Sequence, residues 1–282
     1  MNNKRYFLIP IIVFISIIGF SLACGGNSGS SYTPSTDTIE QTPEEEFTIE
    51  GEEVTEEEYR DNLEYEEEES EFNPDYDDFG TQYLFFAIWE GNLSEAQRQL
   101  DHGVDPNAPE DTDSYGTPPL LEAVQKGEFE IAELLLEYGA YVDGSDNNGW
   151  TALMDAAVYD ETEVILMLLD YGADVNYRDN DGFTALMIPV FHGQLNSVEI
   201  LLSFGADVNA SVDGWTPLME AAAYAIGYSD HVKIAQLLID YGADVNARAD
   251  NGMTALTVAY EIGYNSGYDE MIELLIAAGA QE

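Results

Sequence analysis

The chain has 282 residues, 45% of them apolar, with 56 acidic against 8 basic residues and a formal net charge of −48. That balance excludes nucleic acid as a partner, because neutralising phosphates needs clustered Lys and Arg, and it suits basic proteins and cations instead. The single cysteine excludes an intramolecular disulfide framework.

Residues 1–7, MNNKRYF, place Lys4 and Arg5 before an apolar run over 8–20, LIPIIVFISIIGF, and small residues follow. A positive start, a short apolar core and a small-residue cleavage zone read as a secretory signal. The run is shorter than the ~20 apolar residues that span a bilayer. Leu22-Ala23-Cys24 resembles the lipobox of bacterial lipoproteins, with Ser21 standing where an aliphatic residue is usual. The resemblance implies that residues 1–23 are a lipoprotein signal peptide and that Cys24 is the lipidated first residue of the mature chain. The expected protein is exported and held as a membrane-anchored lipoprotein on the periplasmic face of a membrane or at the cell surface, because two or more acyl chains anchor stably. An ordinary signal peptide cut near Ala23, leaving a free thiol, is the alternative.

Residues 24–79 change character, from the Gly/Ser/Thr-rich GGNSGSSYTPSTDT to a Glu-dominated stretch. High charge and low apolar content cannot offset the entropy of ordering, so this segment is expected to be a disordered spacer. A flexible coil of that length spans about 40 Å. The interleaved Tyr59, Tyr65, Phe72 and Tyr76 also allow a binding or self-masking motif, and a short helix over 52–70 is compatible with the composition.

From about residue 80 the chain repeats. NGWTALMDAA (148–157), DGFTALMIPV (181–190), DGWTPLMEAA (213–222) and NGMTALTVAY (251–260) align, each followed by an apolar helix and a glycine, as in DYGADVN at 170. Gly139 and Gly172 lie one such period apart, as do Gly149 and Gly182. Two weaker units precede them. This pattern resembles the ankyrin repeat, with its turn, T-P-L-H-x-A first helix, second helix and G-A-D-V-N. The resemblance implies an all-α repeat solenoid of helix-turn-helix units with hairpin-like loops over 80–282, in about six repeats: 81–110, 115–144, 148–177, 181–210, 213–247 and 251–282. It also implies a protein-binding surface made of turn tips and the concave face of the first helices.

The residues agree with that architecture. Thr151, Thr184, Thr216 and Thr254 are expected N-caps, and Pro119 and Pro217 sit where a first helical residue needs no donor. Leu153, Ala156 and Ala157 form one apolar face, and Val164, Leu168 and Leu169 another. Gly172, Gly205 and Gly242 are placed to end second helices in the left-handed conformation. Four departures stand out. Met154, Met187, Met219 and Thr257 occupy the family's histidine position. Asp160 replaces an inter-helix glycine. Pro189 falls inside a first helix, where it should remove one backbone bond and bend it. AYAIGYSDH and EIGYNSGYDE insert between helices of the last two repeats.

No phosphate loop, nucleophile elbow or metal-spaced histidine pair is present, so no catalytic residue, metal ligand or cofactor is assigned and the protein is read as a non-enzyme. His102 and His192 precede helix-ending glycines and suit the helix dipole, while His231 falls in an insertion. YRDNDG (177–182) and SDNNG (145–149) faintly resemble calcium loops without the terminal glutamate, and Asp, Asn and Gly equally serve turn geometry. Trp150, Phe183, Trp215 and Met253 share the turn-tip position. Asp155, Tyr159, Phe191, His192, Glu220 and Tyr224 share the first-helix face, as does Glu122. Aromatics ringed by acids suit a hot-spot surface for a protein partner with basic or apolar groups, although tip aromatics also pack against neighbouring turns. The expected function is protein–protein interaction by a lipid-anchored protein. The alternatives are an immunity-type inhibitor of a toxin or enzyme, a host-directed effector, and a calcium-dependent binding module.

Overall fold

Six short helix pairs follow one another along the chain because no pair can bury its own apolar face and each must lean on the next. The computed structural model describes residues 47–49, 52–54, 80–109, 116–225, 229–262 and 269–281. The signal segment, Cys24, most of the spacer and the centres of both insertions lie outside the described residues. Contacts divide the chain into two units, residues 1–69 and 70–282.

In the first unit, strands β1 (Phe47–Ile49) and β2 (Glu52–Val54) pair antiparallel, with Phe47 opposite Val54. The expectation for this stretch was an unstructured spacer, with a short helix from 52. Its few β-formers, Phe47, Thr48 and Ile49 on one side and Val54 on the other, flank Glu50-Gly51, and a glycine between such runs favours a hairpin.

The second unit holds twelve helices among the described residues. They pair as α1 (Gly80–Trp89) with α2 (Leu93–Asp101), α3 (Pro119–Lys126) with α4 (Phe129–Glu137), α5 (Ala152–Val158) with α6 (Thr162–Asp170), α7 (Met187–His192) with α8 (Leu195–Ser203), α9 (Pro217–Ala223) with α10 (Ser229–Asp240), and α11 (Ala255–Ile262) with α12 (Asp269–Ala277). The odd-numbered first helices stack in unbroken series from α1 to α11. Small side chains allow this. Ala87, Ala123, Ala156, Ala157, Ala221, Ala222 and Ala259 are fully buried, with Leu and Ile from both helices filling the space between. Met154 and Met219 stand buried in the same core, where a thioether adapts to the gap.

Caps follow the repeat, with one exception. The Thr151 and Thr216 hydroxyls accept the N–H of Met154 and Met219, each at 3.4 Å, and Thr254 accepts that of Thr257 at 3.3 Å. Thr184 does not. Its helix begins late, at Met187, and its buried hydroxyl has no hydrogen-bond partner. Pro189 is the cause. In a helix starting after Thr184, the Pro189 ring would collide with the Ala185 carbonyl and offer it no donor. Ala185 and Leu186 therefore form a tight turn, closed by Met187 N–H to Thr184 O at 3.1 Å. Instead of bending the helix, the proline shortens it to six residues.

The second helices end as expected, with positive φ at Gly172 (91°), Gly205 (89°) and Gly242 (92°). Asp160 also adopts positive φ (59°) in place of glycine, and its carboxylate accepts the hydroxyl of buried Ser197 in the next repeat. His231 closes the inserted segment of the fifth repeat. It lies in α10, buried, with Nε2 3.3 Å from the Phe191 carbonyl.

A side-chain staple joins the repeats. Asn107, Asn176, Asn209 and Asn246 each donate Nδ2 to the carbonyl of the next repeat's glycine, all at 3.2 Å. Each accepts, through Oδ1, an N–H just beyond that glycine, from Tyr141, Asp207, Asp244 and Gln281 at 2.6–2.8 Å. Asp143 holds this place in the second repeat. It accepts from Asp174 N–H at 2.9 Å but has nothing to donate to Gly172.

Candidate protein-binding face

The turn tips and first helices meet through pairs of side chains. Asp146 turns its carboxylate inward and accepts the N–H of Asn148 and Trp150, each at 2.8 Å. That tight turn presents Trp150, whose indole N–H donates to Asp155 Oδ1 at 3.2 Å, one turn into α5. In the fifth repeat, Trp215 likewise donates its indole N–H to the Glu220 carboxylate of α9. Trp89, near the end of α1, crosses to the next repeat and donates to Glu122 Oε1 at 2.7 Å.

The pairing has a rule that composition alone hides. The tip residue precedes the capping threonine, and its partner follows that threonine by four, so a helical turn brings the two together. Indole tips meet acids, at Trp150 with Asp155 and Trp215 with Glu220. In sequence the same two positions are apolar in the fourth and sixth repeats, Phe183 with Ile188 and Met253 with Val258. The tip and helix positions therefore change together from repeat to repeat.

Burial sets the electrostatics. Asp155 is only 3% exposed. Desolvation pushes its carboxyl up to about 6 against the hydrogen bonds of Trp150 and Gln125, and the charge of Glu122 adds to the rise. Desolvation pushes Glu220 up to about 7, opposed by the Trp215 bond. Both carboxyls therefore keep their protons to a higher pH than exposed acids do. Glu122 is also 3.6 Å from Lys126.

The structure places the residues expected on this face in three settings. Tyr159 and His192 are exposed. Trp150, Trp215, Met253, Phe191, Glu220 and Tyr224 are half-buried, while Phe183 and Asp155 are buried. Phe191 and Tyr224 meet edge to face with centroids 4.8 Å apart, and His192 sits 5.0 Å from Phe191. His231 lies under this pair, 6.2 Å from Tyr224, and burial holds its pKa low. Phe86 and Trp89 of the first repeat are exposed as well. The one sequence signal for them is their aromatic type on a first helix.

The acidic loops are occupied by their own backbones. Besides Asp146, Asp179 accepts the N–H of Asp181 at 3.0 Å and of Phe183 at 2.8 Å. These carboxylates build turns. Among the described residues no group of three or more His, Cys, Asp or Glu is placed to hold a metal, and no helix is long and apolar enough to cross a membrane.

A family model described as ankyrin repeats (3 copies) matches residues 84–179, 143–212, 172–249 and 209–282. The solved ankyrin repeat domain from Acinetobacter baumannii AYE is similar at 29% identity with a TM-score of 0.64, covering 70% of this chain and 98% of that one. Another solved ankyrin repeat protein is similar at 26% identity and a TM-score of 0.62, covering 71% and 98%. The 2-5A-dependent ribonuclease of Mus musculus is 44% identical over 57 residues, which are 20% of this chain and 8% of that protein. The chain thus spans a small part of that relative's length.

Proposed function

Because the chain belongs to the ankyrin repeat family, a general protein-interaction module and typically a non-enzymatic one, we propose that its first-helix face binds a protein partner bearing basic and apolar groups. The indole–carboxylate pairs carry this reading. Trp89 and Trp215 hold the half-buried Glu122 and Glu220 in place before any partner arrives. Preorganised groups lose little freedom on binding. Exposed Phe86, Trp89 and Tyr159 add aromatic anchors. The acidic chain steers a basic partner toward the face.

The same reading has Cys24 lipidated and the repeats held off a membrane by residues 24–79. Support for the anchor is the Leu22-Ala23-Cys24 sequence behind an apolar run.

Two experiments test the proposal. Partner capture from the cell envelope is compared between the wild-type full chain and the double variant Phe86→Ser, Tyr159→Ser, whose side chains are exposed and leave the core intact. Loss of a specific partner with an unchanged melting temperature supports the face; undiminished capture refutes it. Mass spectrometry of the membrane-extracted protein reads the anchor: an unmodified Cys24, or a mature start elsewhere, removes that part.

A further inference from the structure

The junctions on either side of the fourth repeat are closed by the same clasp, built from two different side chains. Gln194, the residue before α8, donates Nε2 to the Val158 carbonyl of the preceding repeat at 2.9 Å. His231 of α10 donates Nε2 to the Phe191 carbonyl at 3.3 Å. The positions are equivalent. Gln194 and His231 stand equally far before Gly205 and Gly242, which end their helices. Val158 and Phe191 stand equally far before the left-handed Asp160 and Gly193. An amide donates at every pH, whereas an imidazole changes charge in the mildly acid range.

The His231 ring has no room for a hydrated charge. It is 4% exposed. It lies against Gly193, where a β-carbon would come within 2.8 Å of Cε1, and under Tyr224, which meets Phe191 edge to face. A cation formed there finds little compensation. Asp230 is the one charge that acts on the ring among the described residues, and its half-exposed carboxylate already pairs with Lys233 at 2.8 Å. Glu199 of α8, Glu220 of α9, and Asp269, Glu270 and Glu273 of α12 sit on the helices packed against α10 without acting on it. His192 of α7 is the other titratable ring beside Phe191. The first turn of a helix also disfavours a cation. Burial therefore holds the imidazole pKa below its ordinary value, against the Phe191 carbonyl, Asp230 and the Val190 carbonyl.

From this geometry we propose that His231 is an acid-sensitive clasp, whose protonation releases the first turn of α10 from α7 and loosens the Phe191–Tyr224 contact above it. The opened junction binds a proton more readily than the closed one. Opening therefore grows as pH falls through about 6.5, the ordinary histidine value. Phe191 and Tyr224 belong to the first-helix face, but the clasp works whether or not that face binds a partner.

Hydrogen exchange of the full chain reads the opening. After correction for the intrinsic pH dependence, the opening equilibrium at the start of α10 should rise severalfold from about pH 7.5 to about pH 5.5. An ordinary histidine sets the ceiling at about tenfold. The start of α8, held by Gln194, should not follow. His231→Gln copies the Gln194 clasp and should remove the rise. A rise that persists in that variant would belong to His192 or to net charge and would overturn the inference. Wild-type exchange that does not change with pH would overturn it too. If His231→Gln exchanges fast at every pH, its clasp has not formed, and NMR of the wild-type rings decides. The His231 imidazole should titrate below the ordinary range, with the Tyr224 ring signals moving at the same midpoint. A midpoint at or above about 6.5, or Tyr224 signals that stay still, refutes the clasp.

Discussion

Replacing Asp143 by asparagine should stabilise the protein. At four other junctions an asparagine makes two bonds to the following repeat, one donated to a glycine carbonyl at 3.2 Å and one accepted from a backbone N–H. Asp143 keeps the accepted bond, from Asp174 N–H at 2.9 Å, and lacks the donated one. Its carboxyl is also pushed above the ordinary range by burial and by the nearby Asp174 charge, with only the Asp174 backbone bond acting the other way. Asp143→Asn supplies the missing donor and removes a partly desolvated charge. One net hydrogen bond contributes about 0.5–1.5 kcal/mol, so a gain of about 1 kcal/mol is expected. For a unit of this size that raises the melting temperature by about 2–4 °C. Urea unfolding followed by tryptophan fluorescence reads the change as a higher midpoint at constant slope. The reverse change, Asn176→Asp, should cost a similar amount. The advantage of Asp143→Asn should shrink as pH falls, because an acid with a raised folded pKa favours the folded state once it is protonated. An unchanged midpoint in both variants would refute the view that the staple holds the repeats together.

Three further outcomes follow from the same structure. Thr184→Val should be neutral or slightly stabilising, because it removes a buried hydroxyl without a partner, whereas Thr151→Val should lose a working cap at a cost of about 1 kcal/mol; equal costs in thermal melts would contradict the shortened α7. Asp160→Ala should destabilise by about 1–3 kcal/mol, leaving a residue with a Cβ at φ 59° and the buried Ser197 hydroxyl without its acceptor. Asp160→Gly relieves the backbone and should cost less, and urea midpoints that place glycine below alanine would reject the strain argument. Glu220 binds its proton more tightly folded than unfolded, so its contribution to stability is present below about 4.5 and is lost as pH rises through about 7. Glu220→Gln should flatten the fall in stability between those values by roughly 1–3 kcal/mol; parallel pH profiles for wild type and variant would show that Glu220 is not desolvated.

The sequence carried the repeat because its signals are local. A threonine cap, an alanine face and a glycine end each depend on neighbours within a few residues, and their recurrence marks the period. Pro119 and Pro217 were legible for the same reason, since a proline without a donor suits only a first helical position. The pairing of tip residue with helix residue was also written in the chain, as Trp150 with Asp155 and Trp215 with Glu220, but it shows only when the repeats are compared position by position.

Tertiary structure decided the rest. Whether Thr184 caps its helix depended on where the Pro189 ring met the Ala185 carbonyl, and the backbone moved the helix start instead of bending it. Asp160 keeps its unusual backbone because Ser197 of the next repeat reaches it. His231, in an insertion by sequence, lies in a helix and is buried against Phe191 and Tyr224. The raised pKa values of Asp155 and Glu220 depend on how deeply stacking buries them. A sequence specifies each repeat unit, but burial and contact between repeats exist only once the units are stacked.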